Sequence, residues 1–138
     1  MKKIFFAVLA AAMLLLSATA SAEDNIKIMI NGEELQCSPA AYVQNDRLLV
    51  PMRTIFEKLN AMVGWDQDTQ TITAAKNDFI LLLQIDNLSM FKNNEKIDLD
   101  VAPTLVEDRT MVPIRAVTEA FNIPVDWNED AQEVTINF

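Results

Sequence analysis

The sequence predicts an α+β fold, in which a mostly antiparallel β-sheet carries two packed helices and two ββαββ-like pseudo-repeats share one core. Two observations predict this fold. The sequence matches itself at an offset of 62 residues. Each copy also places one stretch of helical periodicity between short stretches of strand periodicity.

The internal match aligns residues 50–73 with residues 112–135 without a gap. Over 45 aligned pairs 15 are identical, where chance gives about three. Because a stacked solenoid needs at least about three repeats, we expect the two copies to complete one shared core instead. The pseudo-repeats cover about residues 26–76 and 88–138.

Each copy is expected to open with a β-hairpin. Short β-type stretches at 26–30 and 35–37 flank Asn31-Gly32, a dipeptide favoured in two-residue turns because both positions accept positive φ. Asn93-Asn94 is the corresponding turn in the second copy, with a weaker signal. Further turns are expected at Asn45-Asp46 and Glu107-Asp108, before apolar stretches at 48–50 and 110–112.

A helix is expected next in each copy. Pro51 and Pro113 suit the first turn of a helix, where the missing N–H costs no hydrogen bond. Apolar residues then recur at the spacing of a helix with one buried face, and both helices should end near Asn60 and Asn122. These apolar residues are Met52, Ile55, Phe56 and Leu59 in the first copy, and Ile114, Val117 and Phe121 in the second.

A second hairpin should follow each helix. Val63 alternates with Trp65, and Val125 with Trp127, as residues of a strand do. Turns at 66–69 and 128–131 then lead to return strands around Ile72 and Val134.

A strand is expected between the two copies. Residues 79–85 are nearly all apolar and too few for most helices, which is typical of a strand buried on both faces near the centre of a sheet. Asp86-Asn87 should turn this strand into residues 88–91.

The composition excludes several kinds of catalysis. The 138 residues include no His and a single Cys, Cys37. The chain therefore lacks the side chains for imidazole acid–base chemistry, Ser-His-Asp or Cys-His nucleophiles, and His-ligated copper or catalytic zinc. Cys37 is expected to be a small buried hydrophobe, with pairing to another chain as the alternative. We expect no cofactor and no bound metal.

Residues 1–22 have the three-part pattern of a secretory signal peptide: basic Met1-Lys2-Lys3, an apolar stretch, and small residues ending in Ala20-Ser21-Ala22. The apolar stretch is shorter than the ~20 residues needed to span a bilayer. We therefore expect cleavage before Glu23 and no membrane insertion afterwards. Loss of two lysines leaves 9 basic and 20 acidic residues, a net charge of −11 that disfavours nucleic acid and anionic lipid as partners.

The repeated motifs closely resemble those of the copper amine oxidase N-terminal-like domain, also called the stalk domain. They are the Asn-Gly hairpin, the Asp-Arg turn, the V-P-x-R-x-x-x-E helix and the Trp-Asp hairpin, and they cover nearly all of residues 23–138. Asn60, Asn94 and Asn122 depart from the pattern, which favours Gly there. The resemblance implies an accessory domain without a catalytic centre, of a kind found alone or beside envelope and wall-binding modules in exported bacterial proteins.

Eight residues of the repeated motif are predicted to be structural. Arg53–Glu57 and Arg115–Glu119 are i,i+4 pairs, whose arginines could bind a carboxylate or sugar acid. We favour instead a role in fastening each helix to adjacent turns, with Asp46 and Asp108 as further partners, because an exact repeat keeps its fold determinants in both copies. The eight residues are Pro51, Arg53, Glu57, Trp65, Pro113, Arg115, Glu119 and Trp127.

Two of these residues and the acidic turns have alternative interpretations. Trp65 and Trp127 could stack on a glycan, but their alternation with valines favours core packing. The turn residues could bind calcium, but Asx turns account for them without a metal. These turn residues are Asp66, Asp68, Asn128, Glu129 and Asp130.

The function expected is that of an exported, non-catalytic stalk or interaction module of the bacterial cell envelope, without amine oxidase activity. Its partner would be an unknown envelope protein or a cell-wall polymer. The alternative is a module that binds peptidoglycan or another wall polysaccharide in a groove between the halves. An enzyme using Glu57 and Glu119 as paired carboxylates is disfavoured, because each glutamate lies beside an arginine on a separate helix.

Overall fold

The computed structural model describes residues 26–138, which form thirteen strands and two helices arranged in three sheets. The predicted signal peptide and cleavage site lie outside these residues. The α+β class, the mostly antiparallel strands and the two helices are confirmed, whereas the prediction of a single sheet is wrong. The strands are β1 (Lys27–Ile30), β2 (Glu33–Glu34), β3 (Tyr42–Gln44), β4 (Arg47–Pro51), β5 (Met62–Asp66), β6 (Thr71–Lys76), β7 (Phe79–Gln84), β8 (Ser89–Lys92), β9 (Glu95–Asp98), β10 (Thr104–Val106), β11 (Arg109–Pro113), β12 (Val125–Asn128) and β13 (Glu133–Ile136), and the helices are α1 (Met52–Lys58) and α2 (Ile114–Ala120).

The central sheet has the order β10-β11-β4-β3, with β4 and β11 antiparallel in the middle. Val50 pairs with Val112, which is also its partner at the 62-residue offset. Leu49 pairs with Pro113 on one side of this pair, and Pro51 with Met111 on the other. These pairs relate β4 and β11 by a local twofold axis. The duplication inferred from the sequence stays a prediction.

Two outer sheets each combine strands from both halves of the sequence. One has the order β12-β13-β1-β2, in which β1 and β13 are parallel. The other has the order β5-β6-β7-β8-β9 and is antiparallel throughout. At the 62-residue offset β1, β2, β12 and β13 correspond to β8, β9, β5 and β6, so β7 is an extra strand between β6 and β8.

The predicted hairpin turns are confirmed. Both residues have positive φ in Asn31-Gly32 and Asn93-Asn94, and the same holds for Asn45-Asp46 and Glu107-Asp108. The prediction of a return strand at 35–37 is wrong, because a two-residue turn pairs the next two residues, Glu33–Glu34, with Met29 and Ile30.

The two helices end as the sequence predicts. Asn60 and Asn122 both adopt a φ of 63°, the left-handed conformation that closes many helices. In α1 the Asn60 N–H donates to the Glu57 carbonyl at 3.0 Å and the Ala61 N–H to the Phe56 carbonyl at 2.9 Å, a Schellman motif that recurs in α2. The helix starts differ slightly from the prediction, since Pro51 and Pro113 are N-cap residues that still pair in β4 and β11.

One large apolar core joins both sequence halves. Phe56 of α1 and Phe121 after α2 pack edge to face, with ring centroids 6.2 Å apart and planes at 81°. Strands of both outer sheets add fully or nearly fully buried residues, among them Ile28, Ile72, Leu81, Leu83, Val134 and Ile136. Thr118 takes the place of Phe56 in α2, and its buried hydroxyl donates to the Ile114 carbonyl at 2.9 Å.

β7 lies at the centre of its sheet, as predicted, but is buried on one face only. Leu81 and Leu83 are buried, whereas Ile80 is 51% exposed and Leu82 37% exposed. The prediction of burial on both faces was wrong because the outward side chains are apolar too, which hides the alternation.

Candidate functional site

Each helix borders a surface groove whose opposite wall comes from the other half of the sequence. The α1 groove, of about 720 Å³, is lined in part by Arg53, Glu57, Trp65, Gln67, Leu105, Asp108 and Arg109. The α2 groove, of about 350 Å³, is lined in part by Val43, Asp46, Arg47, Arg115, Trp127 and Glu129. Most of these residues correspond at the 62-residue offset, so the two grooves are related by the local twofold axis.

The repeated motif and the central sheet together position the groove residues. Arg53 and Arg115 lie in the first turn of their helices, and the tryptophan comes from the strand that follows each helix. Because β4 and β11 pair antiparallel, the Asp-Arg turn of one half reaches the groove beside the helix of the other half. Each groove therefore requires both halves.

In the α2 groove the arginines are partly neutralised. Arg115 Nη1 lies 3.4 Å from Glu119 Oε2, which is the predicted i,i+4 pair. Arg47 Nε donates to Asp100 Oδ2 at 2.9 Å, which fastens the Asp-Arg turn to the segment after β9. These side chains are about half exposed, so the ion pairs fix orientation more than they stabilise the fold.

In the α1 groove the corresponding arginines lack such partners. Within residues 26–138, neither Arg53 nor Arg109 has a carboxylate oxygen within the 4.0 Å of an ion pair. The predicted Arg53–Glu57 pair is therefore not formed, and neither helix arginine pairs with Asp46 or Asp108. Exposed side chains gain little from pairing, which explains why the two copies differ.

The two tryptophans differ in burial. Trp65 is half-buried against the core, and its Nε1 donates to Gln67 Oε1 at 2.9 Å. Trp127 is 41% exposed, so the prediction that it packs in the core is wrong. Glu129, which takes the place of Gln67, makes no such bond to the indole of Trp127 in the part of the chain that the structure describes.

The acidic turns after the tryptophans form Asx turns. Asp66 Oδ1 accepts hydrogen bonds from the N–H groups of Asp68 and Thr69, at 3.0 and 3.4 Å, and Asn128 Oδ1 accepts from the Ala131 N–H at 3.1 Å. Among residues 26–138 no group of three or more Cys, Asp or Glu side chains is placed to hold a metal ion.

The other candidates lie apart from one another. Glu57 lines the α1 groove, while Glu119 lines a third cleft of about 550 Å³ with Asp98 and Asp100. Cys37 packs against the core as expected but is only half-buried, and this burial raises the pKa of its thiol. No helix in residues 26–138 is long and apolar enough to cross a membrane.

Sequence reasoning missed the residues that the opposite half contributes to each groove. Val43, Leu105, Arg47 and Arg109 come from strands and turns predicted only as structure. The Asp-Arg dipeptide occurs in both copies, and it could have indicated the groove arginines. An exposed turn does not itself require arginine, so its repetition called for another explanation.

The fold and its grooves define a class of protein: an α+β domain of three small sheets and two short helices, whose repeated polar residues line surface grooves. The family described as Copper amine oxidase N-terminal domain matches residues 29–136, and the chain belongs to this family. The predicted resemblance is confirmed. The match is to the N-terminal domain and not to the catalytic domain of the amine oxidases.

A curated relative was also found. The chain is 24% identical over 123 residues to a protein of Brevibacillus choshinensis named "Protease inhibitor". The alignment covers 86% of this chain and 36% of that protein, so the chain spans about a third of the relative's length.

Proposed function

We propose that this protein is an exported, non-catalytic interaction module of the bacterial cell envelope, without amine oxidase activity. The observation that carries the proposal is the position of the repeated motif residues. Their polar side chains line two open grooves that both halves build, and such surfaces suit contact with another molecule. The family supports the non-catalytic part of the proposal, because only the N-terminal domain of the amine oxidases is matched.

The unpaired arginines make the α1 groove the stronger candidate for contact. Arg53 and Arg109 are exposed on the surface of a chain whose overall charge is strongly negative. A guanidinium without an intramolecular carboxylate is free to bind a carboxylate or phosphate of a partner bidentately. We therefore propose that an envelope protein or a wall polymer presents an isolated carboxylate or phosphate to this groove, whereas the net charge of −11 disfavours a partner that is strongly acidic throughout.

The experiment is a pull-down of cell-wall fractions and secreted proteins with immobilised residues 23–138. The double variant Arg53→Ala/Arg109→Ala removes both groove cations, and Lys27→Ala on β1 is the matched control, since it removes a cation outside the grooves. We expect the double variant to lose the partner and the control to keep it, with unchanged melting temperatures. Equal capture by all three proteins would contradict the use of this groove.

A second candidate function, binding of wall glycan, is favoured by the exposure of Trp127. An accessible indole beside Arg115 and Arg47 combines a stacking face with donors for a sugar carboxylate. Sedimentation with purified peptidoglycan tests this proposal. We expect Trp127→Ala to lose co-sedimentation and Trp65→Ala to keep it after correction for unfolded protein, whereas an equal loss in both would refute it.

The name of the Brevibacillus protein also describes binding to a protein, which agrees with an interaction role. Inhibition of a protease is not proposed for this chain, because 64% of that protein has no counterpart in the alignment. Export is proposed on the sequence pattern of residues 1–22. Amino-terminal sequencing of the protein from the culture medium or envelope should begin at Glu23, and an intact Met1 would contradict cleavage.

A further inference from the structure

The arginines of the two Asp-Arg turns correspond in position but differ in their contacts. Arg47 Nε and Nη2 both donate to Asp100 Oδ2, the Nε at 2.9 Å, and Arg47 Nη1 donates to the Asp46 carbonyl at 3.2 Å. The edge of this guanidinium that fits a carboxylate is therefore occupied from within the chain. Arg109 is exposed and, among residues 26–138, has no carboxylate oxygen within 4.0 Å.

A single difference in sequence accounts for this contrast. The residue that corresponds to Asp100 at the 62-residue offset is Ser38. Both residues lie in a bend that follows the first hairpin of their half. Asp100 lines the third cleft together with Arg47, and Ser38 lines the α1 groove together with Arg109. A serine side chain carries no charge, so Arg109 lacks the internal carboxylate that Arg47 has.

The acids next to the arginines do not replace that carboxylate. Asp46 and Asp108 precede the two arginines, yet neither forms an ion pair in the described part of the chain. Among the residues that line the α1 groove, Glu57 and Asp108 balance the charges of Arg53 and Arg109. The groove therefore suits one anionic group better than a dense polyanion.

We propose that a carboxylate of the partner binds Arg109 in the α1 groove, at the place that corresponds to Asp100 beside Arg47. This inference rests on the proposed function of the groove and names the ligand group and its contact. The internal pair shows how one carboxylate oxygen accepts from both Nε and Nη2 of an arginine in this turn. The hydroxyl of Ser38, which lines the same groove, is a further donor for such a ligand.

The same pair makes Asp100 the residue that distinguishes the two sides of the molecule. The fold holds its carboxylate beside Arg47, so an outside carboxylate has to displace it. A sugar acid bound beside Trp127 would meet this competition at Arg47. The side chains of Arg47 and Asp100 are 45% and 65% exposed, so their pair adds little stability and can be removed without unfolding the chain.

Nuclear magnetic resonance of the arginine Nε–H groups in residues 23–138 tests the proposal. N-acetylglycine presents the carboxylate of a peptide and glucuronate that of a sugar acid, while N-acetylglycinamide is the neutral control. Each is added up to about 50 mM at constant ionic strength, since one exposed charged contact gives millimolar affinity at best. We expect a saturable shift at Arg109 with a carboxylate probe, and none at Arg47.

Two exchanges between the halves test the role of the corresponding residues. Ser38→Asp should raise the dissociation constant at Arg109 at least about tenfold, because the ligand loses charge-assisted hydrogen bonds and meets a like charge. Ser38→Asn is the uncharged control and should leave the constant unchanged. Asp100→Ser should create a second saturable shift, at Arg47. Asp98→Ser removes the same charge from the same cleft and should create none.

The outcomes separate this inference from the proposed function. A shift at Arg53 without one at Arg109 would overturn the inference and leave the function of the groove standing. So would a partner that Arg53→Ala/Arg109→Ala loses in the pull-down but Ser38→Asp keeps. No shift at Arg109 with either carboxylate, an equal shift with the neutral amide, equal effects of Ser38→Asp and Ser38→Asn, or no new shift in Asp100→Ser would each overturn the inference too. A saturable shift at Arg109 without capture of any partner would contradict the function alone.

Discussion

Trp65 and Trp127 occupy corresponding positions on β5 and β12 but contribute differently to stability. Trp65 packs against the core, so Trp65→Ala should lower the free energy of unfolding by about 3 kcal/mol. Trp127 is 41% exposed, so Trp127→Ala should lower it by no more than about 1 kcal/mol. Urea denaturation followed by far-ultraviolet circular dichroism measures the free energy of unfolding of both variants. This signal does not depend on the fluorescence of the indoles that the substitutions remove. Equal losses in the two variants would contradict the difference in burial.

Asn60 and Asn122 end the two helices in the left-handed conformation. A residue with a Cβ is strained there, although Asn tolerates it better than Ala does. Asn122→Ala should therefore lower the free energy of unfolding by about 1 kcal/mol, while Asn122→Gly should cause no loss. Thermal melts of both variants test this prediction, with the Asn60 pair as an internal replicate. A Gly variant less stable than the Ala variant would contradict the argument that backbone strain at this position sets the stability of the helix end.

At the scale of the elements, the outer sheets make the two halves interdependent. Each outer sheet takes strands from both halves, and β4 pairs with β11 across the local twofold axis. Residues 23–77 and 78–138 expressed separately should therefore be unfolded or aggregate, because β1 loses β13 and β6 loses β7. Circular dichroism melts of the two fragments check this, with the intact chain as control. Cooperative melting of either fragment alone would refute the interdependence.

The elements also show which features of the fold could be predicted. The turn and helix-end dipeptides are local signals, since the φ values that Asn31-Gly32 and Asn60 need are set by their own backbone. The division of the strands into separate sheets is not determined by local sequence. The choice between one sheet and three depends on β1 pairing with β13 over more than a hundred residues, and no periodicity records that pairing.

The candidate site was predicted only in part for the same reason. The motif residues on each helix could be found from the repeat, whereas Leu105 and Arg109 reach the α1 groove through the β4–β11 pairing. The exposure of Trp127 could not be predicted either, because its alternation with Val125 is the same as that of Trp65 with Val63. Neighbours contributed by the fold decide the burial of each residue.

For the whole molecule, we predict stability that does not depend on metal. The Asx-turn oxygens accept backbone hydrogen bonds, and the core joins both halves. The melting temperature should therefore agree within about 1 °C in EDTA, in excess calcium and in excess copper. A site filled at a hundred times its dissociation constant would add about 2.7 kcal/mol, or roughly 10 °C for a domain of this size. A rise of that size with either ion would contradict the prediction.

The parallel pairing of β1 with β13 determines when the domain can be completed during synthesis. Lys27 leaves the ribosome long before Glu133, its partner 106 residues later. Until β13 exists, β1 can pair only with β2, and Ile28 and Ile30 lack their neighbours Val134 and Ile136. Closing a chain loop of that length costs about 4 kcal/mol of entropy, which favours forming the local hairpins first. β13 therefore completes the four-stranded sheet by pairing with β1, a strand made much earlier.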